Sequence, residues 1–421
     1  MKRWVLGILL LGLPFFSGCR LPAQEPIVIV EATDPAAFSA TAPADTSTSA
    51  PTPAPTPEPT PSPTEMPTEP PSEAERLWAY IDGMRVEEKI GQLCMFGFSG
   101  TKTISAEFSS IMETYRIGNV ILYGQNMERG NGDGGFARCK GLTDSVRAAN
   151  GSELPLLISA DVEGGSVTRF RWSKTLDSAR TLGKKDDPDG AQNQFRYIGE
   201  GLLSAGINVD LAPVLDVSRS PDAHFLGKRI LSSDAEKAAE IGLACIDGLH
   251  EAGVLSIVKH FPGHGAANTD SHDKTPVVQK SIDSLRSYDL VPFYAAVRGG
   301  VDGVMVAHIL YEAIDADRIA SQSDVIIGEL LREEYGFEGI VMSDDFRMAG
   351  LRSQSALDKA AVRFILAGGD LILCGANHTY QKKILSGLYA AVEDGTISVQ
   401  RLDESVFRIL SAKLRVTDWT I

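Results

Sequence analysis

Short apolar runs alternate with segments of helical period along most of the chain, from Glu73 to Ile421. Each run is rich in β-branched and apolar residues, as buried parallel strands are, and an amphipathic segment follows it. The eight runs are 91–98, 118–123, 154–161, 208–216, 255–260, 303–309, 339–344 and 370–374. Eight strands that alternate with helices predict one (β/α)8 TIM-type barrel, an α/β fold of about 350 residues.

Several predicted strands end in a polar residue, as at Asp161, His260, His308 and Asp344. Because the carboxyl ends of barrel strands surround one mouth, these side chains are expected to meet where such barrels place their chemistry. An open doubly wound sheet is the structural alternative, but no Gly-x-Gly-x-x-Gly turn follows the first strand.

The chain before the barrel has a different composition. A basic start and a short apolar stretch that ends at Phe16 predict a signal peptide over residues 1–19, because the stretch is too short to span a membrane comfortably. Residues 20–72 are dominated by Pro, Thr, Ser, Ala and Glu and are predicted to form a disordered linker. The folded domain is then expected over residues 73–421.

Cys19 follows the apolar stretch after two small residues. This arrangement resembles the bacterial lipobox, although Phe16 stands where that pattern usually has Leu. The resemblance implies lipidation of Cys19 and an acyl anchor on the outer face of the bacterial cytoplasmic membrane. The linker would then extend from that surface at roughly 3 Å per residue. An ordinary signal peptide with an incidental cysteine is the alternative.

The net charge and the cysteine positions limit the classes of partner and cofactor that we expect. A net charge of −15 argues against nucleic acid, and no cysteine pair has the close spacing of a metal or redox motif. Cys94, Cys245 and Cys374 lie in apolar runs and are expected to be buried thiols. The sequence leaves open whether these residues and Cys139 form disulfides, and it does not give the oligomeric state.

The densest group of titratable residues follows the fifth predicted strand. It comprises Lys259-His260-Phe261-Pro262-Gly263-His264-Gly265 and then Asp270-Ser271-His272. Asp270 and His272 are two apart, so both side chains can face the same way in extended backbone. A carboxylate bonded to an imidazole fixes the tautomer and leaves the second ring nitrogen to exchange a proton. Gly263 and Gly265 would let this loop fold over the barrel mouth. The alternative is a surface loop in which the pairing of Asp270 with His272 is incidental.

Asp344 stands where the seventh predicted strand gives way to a polar turn. A carboxylate in that position can face bound substrate and act as a nucleophile. The neighbouring Asp345 would face away if strand alternation persists, so we expect it to orient a neighbour or to cap the next helix.

Three motifs together resemble glycoside hydrolase family 3, and specifically its β-N-acetylglucosaminidase branch. They are the segment 259–265 joined to Asp270-Ser271-His272, the run Asp161-Val162-Glu163-Gly164-Gly165, and the turn Ser343-Asp344-Asp345. The first motif is highly specific, and the resemblance covers nearly all of residues 73–421.

The resemblance implies retaining hydrolysis, and we expect no cofactor and no metal. Asp344 would attack the anomeric carbon, and His272, supported by Asp270, would serve as general acid and then as general base. Retaining enzymes usually use two carboxylates. A neutral histidine instead avoids a second negative charge beside the glycosyl ester and needs no large pKa shift to donate a proton.

The family motifs also imply a set of sugar-binding residues, namely Asp161, Arg229, Lys259 and His260. The alternatives are that Asp161 caps a helix, that Lys259 is an ion-pair partner inside the barrel, and that Arg229 is a solvated charge. Ser166 and Leu231 depart from the family pattern, where Arg and an aromatic residue are usual, which leaves the shape of the sugar pocket open.

The expected substrate is a terminal β-linked N-acetylglucosamine, as in cell-wall fragments. The chain ends soon after the eighth helix with its own Asp-His pair, which agrees with the glucosaminidase branch. Other β-glycosides, phosphorolysis, or a silent sugar-binding lipoprotein are the alternatives. A metal enzyme built on His260, His264 and His272 is a further one, disfavoured by their spacing.

Overall fold

The computed structural model describes residues 71–127 and 133–421. The predicted signal peptide, Cys19 and nearly all of the predicted linker lie outside the described residues. Within the described part of the chain, no helix is both long and apolar enough to cross a membrane.

Eight parallel strands form the predicted barrel. They are β1 (Cys94–Gly97), β2 (Asn119–Ile121), β3 (Leu157–Ala160), β4 (Val209–Asp210), β5 (Leu255–Phe261), β6 (Gly303–Val306), β7 (Ile340–Ser343) and β8 (Ile372–Cys374). The strands are paired in the order β8-β1-β2-β3-β4-β5-β6-β7, and a parallel bridge between Met342 and Leu371 joins the two ends. The TIM-type barrel predicted from the sequence is confirmed.

Helices surround the strands. They are α1 (Glu73–Asp82), α2 (Val86–Gln92), α3 (Ala106–Tyr115), α4 (Asp133–Ala148), α5 (Ala179–Lys185), α6 (Pro188–Ser204), α7 (Ala235–Ala252), α8 (Ile282–Ser284), α9 (Val291–Arg298), α10 (Ala349–Arg352), α11 (Leu357–Leu366), α12 (His378–Glu393) and α13 (Val399–Val416). Two π-helical segments, Leu285–Asp289 and Val325–Glu334, complete the ring. A small parallel sheet pairs Val277–Val278 with Leu310–Tyr311.

Local sequence explains where the helix before β5 begins and ends. Asp234 caps α7 by accepting hydrogen bonds from the backbone N–H groups of Glu236 and Lys237. Gly253 then adopts a φ of 82°, a left-handed conformation that glycine accepts without steric cost, and β5 begins two residues later. This helix and its turn therefore fix the start of the strand that carries Lys259 and His260.

Charged residues are buried near the amino ends of the strands, away from the mouth. Asp302, just before β6, accepts a hydrogen bond from His250 at 2.7 Å, and Asp370, before β8, pairs with Arg332. Lys413 is wholly buried, with its Nζ 2.9 Å from the carbonyl oxygen of Gly118. In a barrel of this kind, that end lies away from the chemistry.

All four described cysteines, Cys94, Cys139, Cys245 and Cys374, are buried and unpaired. The expectation of buried thiols is confirmed for the three that lie in apolar runs.

Candidate active site

A cavity of about 420 Å³ opens at the carboxyl ends of the barrel strands. Its walls include six of the seven residues to which the sequence assigned a catalytic or sugar-binding role, which are Asp161, Arg229, Lys259, His260, His272 and Asp344. Asp270 does not line the cavity but contacts His272. The fold thus brings together Arg229 and side chains from the three motifs.

Lys259 and His260 both line this cavity although they are adjacent on β5. Side chains on a regular strand alternate, so neighbours should face opposite sides. The pairing with β6 shifts at this point: Lys259 is opposite Met305 and Phe261 is opposite Val306, so His260 has no partner. This bulge lets two consecutive side chains face the mouth.

The ammonium group of Lys259 lies between two carboxylates. Its Nζ is 2.8 Å from Oδ1 of Asp161 and 2.7 Å from Oε1 of Glu163. Burial opposes deprotonation of Asp161, but Lys259 and Arg169 outweigh it and hold the pKa of Asp161 well below its usual value. The carboxylate is therefore ionised at neutral pH and can accept hydrogen bonds from hydroxyl groups.

Arg169 closes the second side of Asp161, with its Nη2 2.5 Å from Oδ2. A turn at Gly164 and Gly165, with φ values of 86° and 59°, brings the chain back toward β3. The backbone N–H of Glu163 donates to the carbonyl oxygen of Val167 at 2.8 Å and holds this turn. The two glycines explain the Gly-Gly pair of the motif, because a φ above zero is costly for other residues.

Arg229 is not a solvated charge. Its Nε and Nη2 donate to the two carboxylate oxygens of Glu163 at 2.7 and 2.8 Å. Burial disfavours the charge of Glu163, but Lys259 and Arg229 hold the pKa of this carboxyl below its ordinary range. The bidentate geometry fixes the guanidinium plane at the wall of the cavity.

His260 is oriented by the carboxylate of Asp216, which lies in the segment after the neighbouring strand β4. Its Nδ1 lies 2.7 Å from Oδ2 of Asp216, and the backbone N–H of His264 donates to Oδ1 of the same group at 2.6 Å. Asp216 is wholly buried. The ring's Nε2 is left available for a ligand in the cavity.

Asp344 directly follows β7 and is partly buried. Its backbone N–H donates to the carbonyl oxygen of Val306 at 3.0 Å, and its Oδ1 accepts the N–H of Asp345 at 2.7 Å. Burial would raise the pKa of Asp344, but the nearby His260 ring and the hydrogen bond from the N–H of Asp345 outweigh it and the pKa is lowered. The carboxylate is therefore ionised at neutral pH.

Asp345 also lines the cavity, so it does not face away as strand alternation would predict, but it bonds to a different set of groups from Asp344. It accepts hydrogen bonds from the hydroxyl of Tyr123 at 2.8 Å and from Nη2 of Arg347 at 2.7 Å. The Arg347 guanidinium also lies 5.1 Å from the centre of the Tyr123 ring, within reach of a cation–π interaction. Asp345 therefore orients two neighbours that line the cavity.

The Asp270-His272 pair forms at the rim. Nδ1 of His272 lies 2.8 Å from Oδ1 of Asp270, and the same oxygen accepts the backbone N–H of His272 at 2.9 Å. Burial raises the pKa of Asp270, but these hydrogen bonds outweigh it and lower the pKa. The His272 side chain is 68% exposed and still lines the cavity that contains Asp344, so the loop does reach the mouth.

Sequence reasoning missed five polar residues that build or line the site, which are Tyr123, Glu163, Arg169, Asp216 and Arg347. Two of them carried a usable signal. Glu163 is two residues after Asp161, the spacing at which extended side chains share a face, and Asp216 ends the fourth predicted run.

His308 is buried beside the site. Its Nδ1 lies 2.7 Å from the hydroxyl of Ser321, and burial lowers its pKa, so the ring is neutral. Among residues 71–127 and 133–421, no group of three or more His, Cys, Asp or Glu side chains is arranged to hold a metal ion.

Comparison with known proteins identifies the family to which this barrel and its charged cavity belong. Residues 85–412 match the glycosyl hydrolase family 3 N terminal domain. The chain belongs to this family and is a glycoside hydrolase.

Similar proteins have names that agree with this assignment. The chain is 35% identical over 293 residues to a beta-hexosaminidase of Tolumonas auensis, an alignment that covers 68% of this chain and 83% of that protein. It is 31% identical over 334 residues to beta-hexosaminidase LpqI of Mycobacterium tuberculosis, covering 77% of this chain and 82% of that protein.

Solved structures are similar as well. A family 3 beta-N-acetylglucosaminidase from Paenibacillus sp. str. FPU-7 has a TM-score of 0.75 at 34% identity, and the match covers 80% of this chain and 64% of that chain. A beta-N-acetylhexosaminidase from Beutenbergia cavernae has a TM-score of 0.71 at 28% identity, covering 78% of this chain and 98% of that chain.

Proposed function

We propose that the protein is a retaining β-N-acetylglucosaminidase that removes a terminal, non-reducing N-acetylglucosamine from β-linked substrates. The observation that carries this proposal is the placement of Asp344 and His272 on one cavity that charged hydrogen-bond donors and acceptors also line. The names of the similar proteins support the choice of sugar.

In the first step, Asp344 attacks the anomeric carbon and forms a glycosyl ester. Oδ2 is the attacking atom, because Oδ1 is engaged by the N–H of Asp345. The bond to the leaving group breaks as Nε2 of His272 gives its proton to the glycosidic oxygen. The carboxylate of Asp270 stabilises the imidazolium that serves as the acid.

In the second step, the neutral ring of His272 accepts a proton from water as the water oxygen attacks the anomeric carbon. The ester bond breaks, and the carboxylate of Asp344 is regenerated. Two inversions at one carbon give net retention of configuration. The exposed position of His272 suits this step because water can reach the ring from outside the cavity.

Asp161, Lys259, His260 and Arg229 hold the sugar. The ionised Asp161 accepts hydrogen bonds from ring hydroxyls, whereas Lys259 and Arg229 donate to sugar oxygens. With Nδ1 engaged by Asp216, His260 offers Nε2 to the sugar. A sugar hydroxyl that bonds to a buried charged residue strengthens discrimination between sugars. A sugar that lacks this hydroxyl leaves the charge unpaired.

Peptidoglycan-derived fragments are the proposed natural substrates, and the outer face of the cytoplasmic membrane is the proposed location. The lipobox-like Ser17-Gly18-Cys19 and the long linker support this location. Labelled palmitate should be incorporated into the full chain produced in a bacterium, and Cys19→Ser should remove both the label and the membrane association. Label that persists in the variant would contradict an anchor on Cys19.

The test of the activity compares hydrolysis of an aryl β-N-acetylglucosaminide with that of an aryl β-glucoside by the full chain, with and without phosphate. A strong preference for the acetamido sugar that phosphate does not change supports the proposal. Preference for the glucoside would assign a β-glucosidase, phosphate-dependent release of a sugar phosphate would assign a phosphorylase, and activity on neither would favour a silent sugar-binding protein.

A further inference from the structure

Ser271 stands between the two members of the Asp-His pair in the sequence, and it is buried whereas their side chains are exposed. The side chains of His272 and Asp270 are 68% and 39% exposed, whereas Ser271 is wholly buried. A buried hydroxyl is costly unless it is hydrogen-bonded, so a small polar residue at this point needs a partner.

The hydroxyl of Ser271 bonds to the buried ring of His264, with Oγ 2.9 Å from Nε2. His264 is itself held by Asp216, which accepts its backbone N–H at 2.6 Å. Because Asp216 also orients His260, one carboxylate holds a sugar-facing ring and the anchor of the Asp-His loop. Burial lowers the pKa of His264 to about 4, so the ring is neutral at the pH at which bacteria grow.

The carbonyl group of Ser271 makes a second attachment, to the segment that follows Asp344. It accepts the backbone N–H of Gly350 at 2.9 Å. A Cβ at position 350 would lie 3.0 Å from this carbonyl oxygen and 2.9 Å from that of His308, so the approach depends on glycine. Thr275 adds a further link, because its hydroxyl donates to the carbonyl oxygen of Gly350 at 2.7 Å.

Ser271 is thus bonded on one side to the turn after β5 and on the other to α10, just beyond β7. These are the two strands that carry His260 and lead to Asp344. The two attachments determine where the exposed residues on either side of Ser271 stand relative to the mouth.

We propose that Ser271 is a positioning residue that holds the Asp270-His272 pair at the distance from Asp344 that protonation of the leaving group requires. This inference rests on the proposed function. Ser271 touches neither the sugar nor the reacting atoms; it acts through His272. Misplacement of a catalytic group by about 1 Å can cost roughly 100-fold in rate, so small shifts of the loop matter.

The test is the leaving-group dependence of Ser271→Ala in the full chain. The kcat/KM for a methyl β-N-acetylglucosaminide, whose leaving group needs a proton, should fall by about 10- to 100-fold. The kcat/KM for the dinitrophenyl glycoside should change by less than about threefold, because its leaving group needs little protonation. The exposed Ser287→Ala variant, whose hydroxyl bonds only within its own helical turn, is the matched control.

A second variant and a double mutant separate positioning from a general structural role. Gly350→Ala crowds the carbonyl groups of Ser271 and His308 without touching the Ser271 hydroxyl and should give the same substrate pattern. In a His272→Ala background, Ser271→Ala should cause no further loss, because the group that it positions is gone.

Equal loss on both substrates, or an added loss in the His272→Ala background, would overturn the positioning role, as would an unchanged Ser271→Ala enzyme. If His272→Ala itself shows no leaving-group dependence, the acid/base assignment fails and the inference fails with it. A failure of the inference alone leaves the His272→Ala pattern intact.

Discussion

Glu163 binds Arg229 through two parallel hydrogen bonds of 2.7 and 2.8 Å at the wall of the cavity. Glu163 also approaches the ammonium group of Lys259 at 2.7 Å. Two cations that are proposed to hold the sugar therefore share one buried carboxylate. Because this carboxylate lies between them, it fixes both donors and offsets a charge repulsion that would otherwise separate them.

Glu163→Gln should raise KM more than it lowers kcat. The amide cannot pair with two cations, so Arg229 and Lys259 lose their fixed positions. We expect kcat/KM to fall by about 10- to 100-fold, the order of magnitude for losing bidentate and buried ion contacts. Steady-state kinetics and thermal unfolding measure both effects. Removing one partner of a buried pair costs about 3–5 kcal/mol, so Tm should fall as well.

Glu200→Gln is the matched control for that change. Glu200 pairs with Arg196 one helical turn away at the surface, and exposed pairs of this kind contribute about 0.3–0.5 kcal/mol. Kinetics that match the unsubstituted enzyme are expected from the control. An unchanged KM in Glu163→Gln would contradict the role of this carboxylate in sugar binding.

Gly375→Ala should displace Arg347 from the cavity wall. A Cβ at position 375 would lie 2.2 Å from Cζ of Arg347, so the guanidinium must move and its contacts with Asp345 and Tyr123 must break. We expect kcat/KM to fall by about tenfold or more, because a shifted wall misplaces the substrate.

The control for this substitution is Gly141→Ala in α4, where an added Cβ meets nothing within 4 Å. Alanine in a helix interior is favoured over glycine by about 1 kcal/mol, so this variant should be fully active and slightly more stable. Full activity of Gly375→Ala would show that Arg347 can leave the wall without consequence.

Stability should depend on pH through Lys413. Burial lowers the pKa of this lysine from 10.5 to about 7 in the folded chain. The folded state therefore disfavours the proton, and the resulting loss of stability grows as the pH falls from 10.5 to 7 and is constant below 7. Between pH 7 and 10, the free energy of unfolding should rise more steeply with pH than in Lys413→Met, by up to about 1.4 kcal/mol per pH unit.

Denaturant unfolding of both proteins at several pH values measures this difference in slope. Other titrating groups are shared by the two proteins and cancel in the comparison. Lys383→Met, at an exposed position on α12, is the control and should keep the slope of the unsubstituted enzyme. Parallel curves for Lys413→Met and the unsubstituted enzyme would contradict a buried amine that loses its proton near neutral pH.

His272→Ala should slow substrates according to their leaving groups. Loss of a general acid costs about 10²- to 10⁴-fold on alkyl glycosides and much less on activated aryl glycosides. For the activated substrates, hydrolysis of the glycosyl-enzyme should then limit the rate, since the variant has also lost its general base. Kinetics over a series of aryl leaving groups would reveal this, and equal losses across the series would argue against the assignment.

The sequence predicted the barrel because each strand is buried on both faces and so appears as an apolar run with a distinct end. It also placed Asp161, His260 and Asp344 at the mouth, since strand ends meet there. Asp345 was expected to orient neighbours, and it does so through Tyr123 and Arg347.

The parts of the site that the sequence did not reveal are contacts between distant segments. Asp216 orients His260 across 44 positions, and Tyr123 reaches Asp345 across 222. No local period encodes such pairs. The bulge at His260 was also invisible, because it depends on pairing with β6 rather than on the residues of β5 alone.

The most direct test of the central claim is intact-mass analysis of His272→Ala after brief reaction with a dinitrophenyl β-N-acetylglucosaminide, followed by peptide mapping. The predicted result is an adduct of one N-acetylglucosamine residue on the peptide that contains Asp344, absent when Asp344→Ala is added. An adduct on another residue, or rapid turnover of this substrate by the Asp344→Ala variant, would contradict a nucleophilic Asp344.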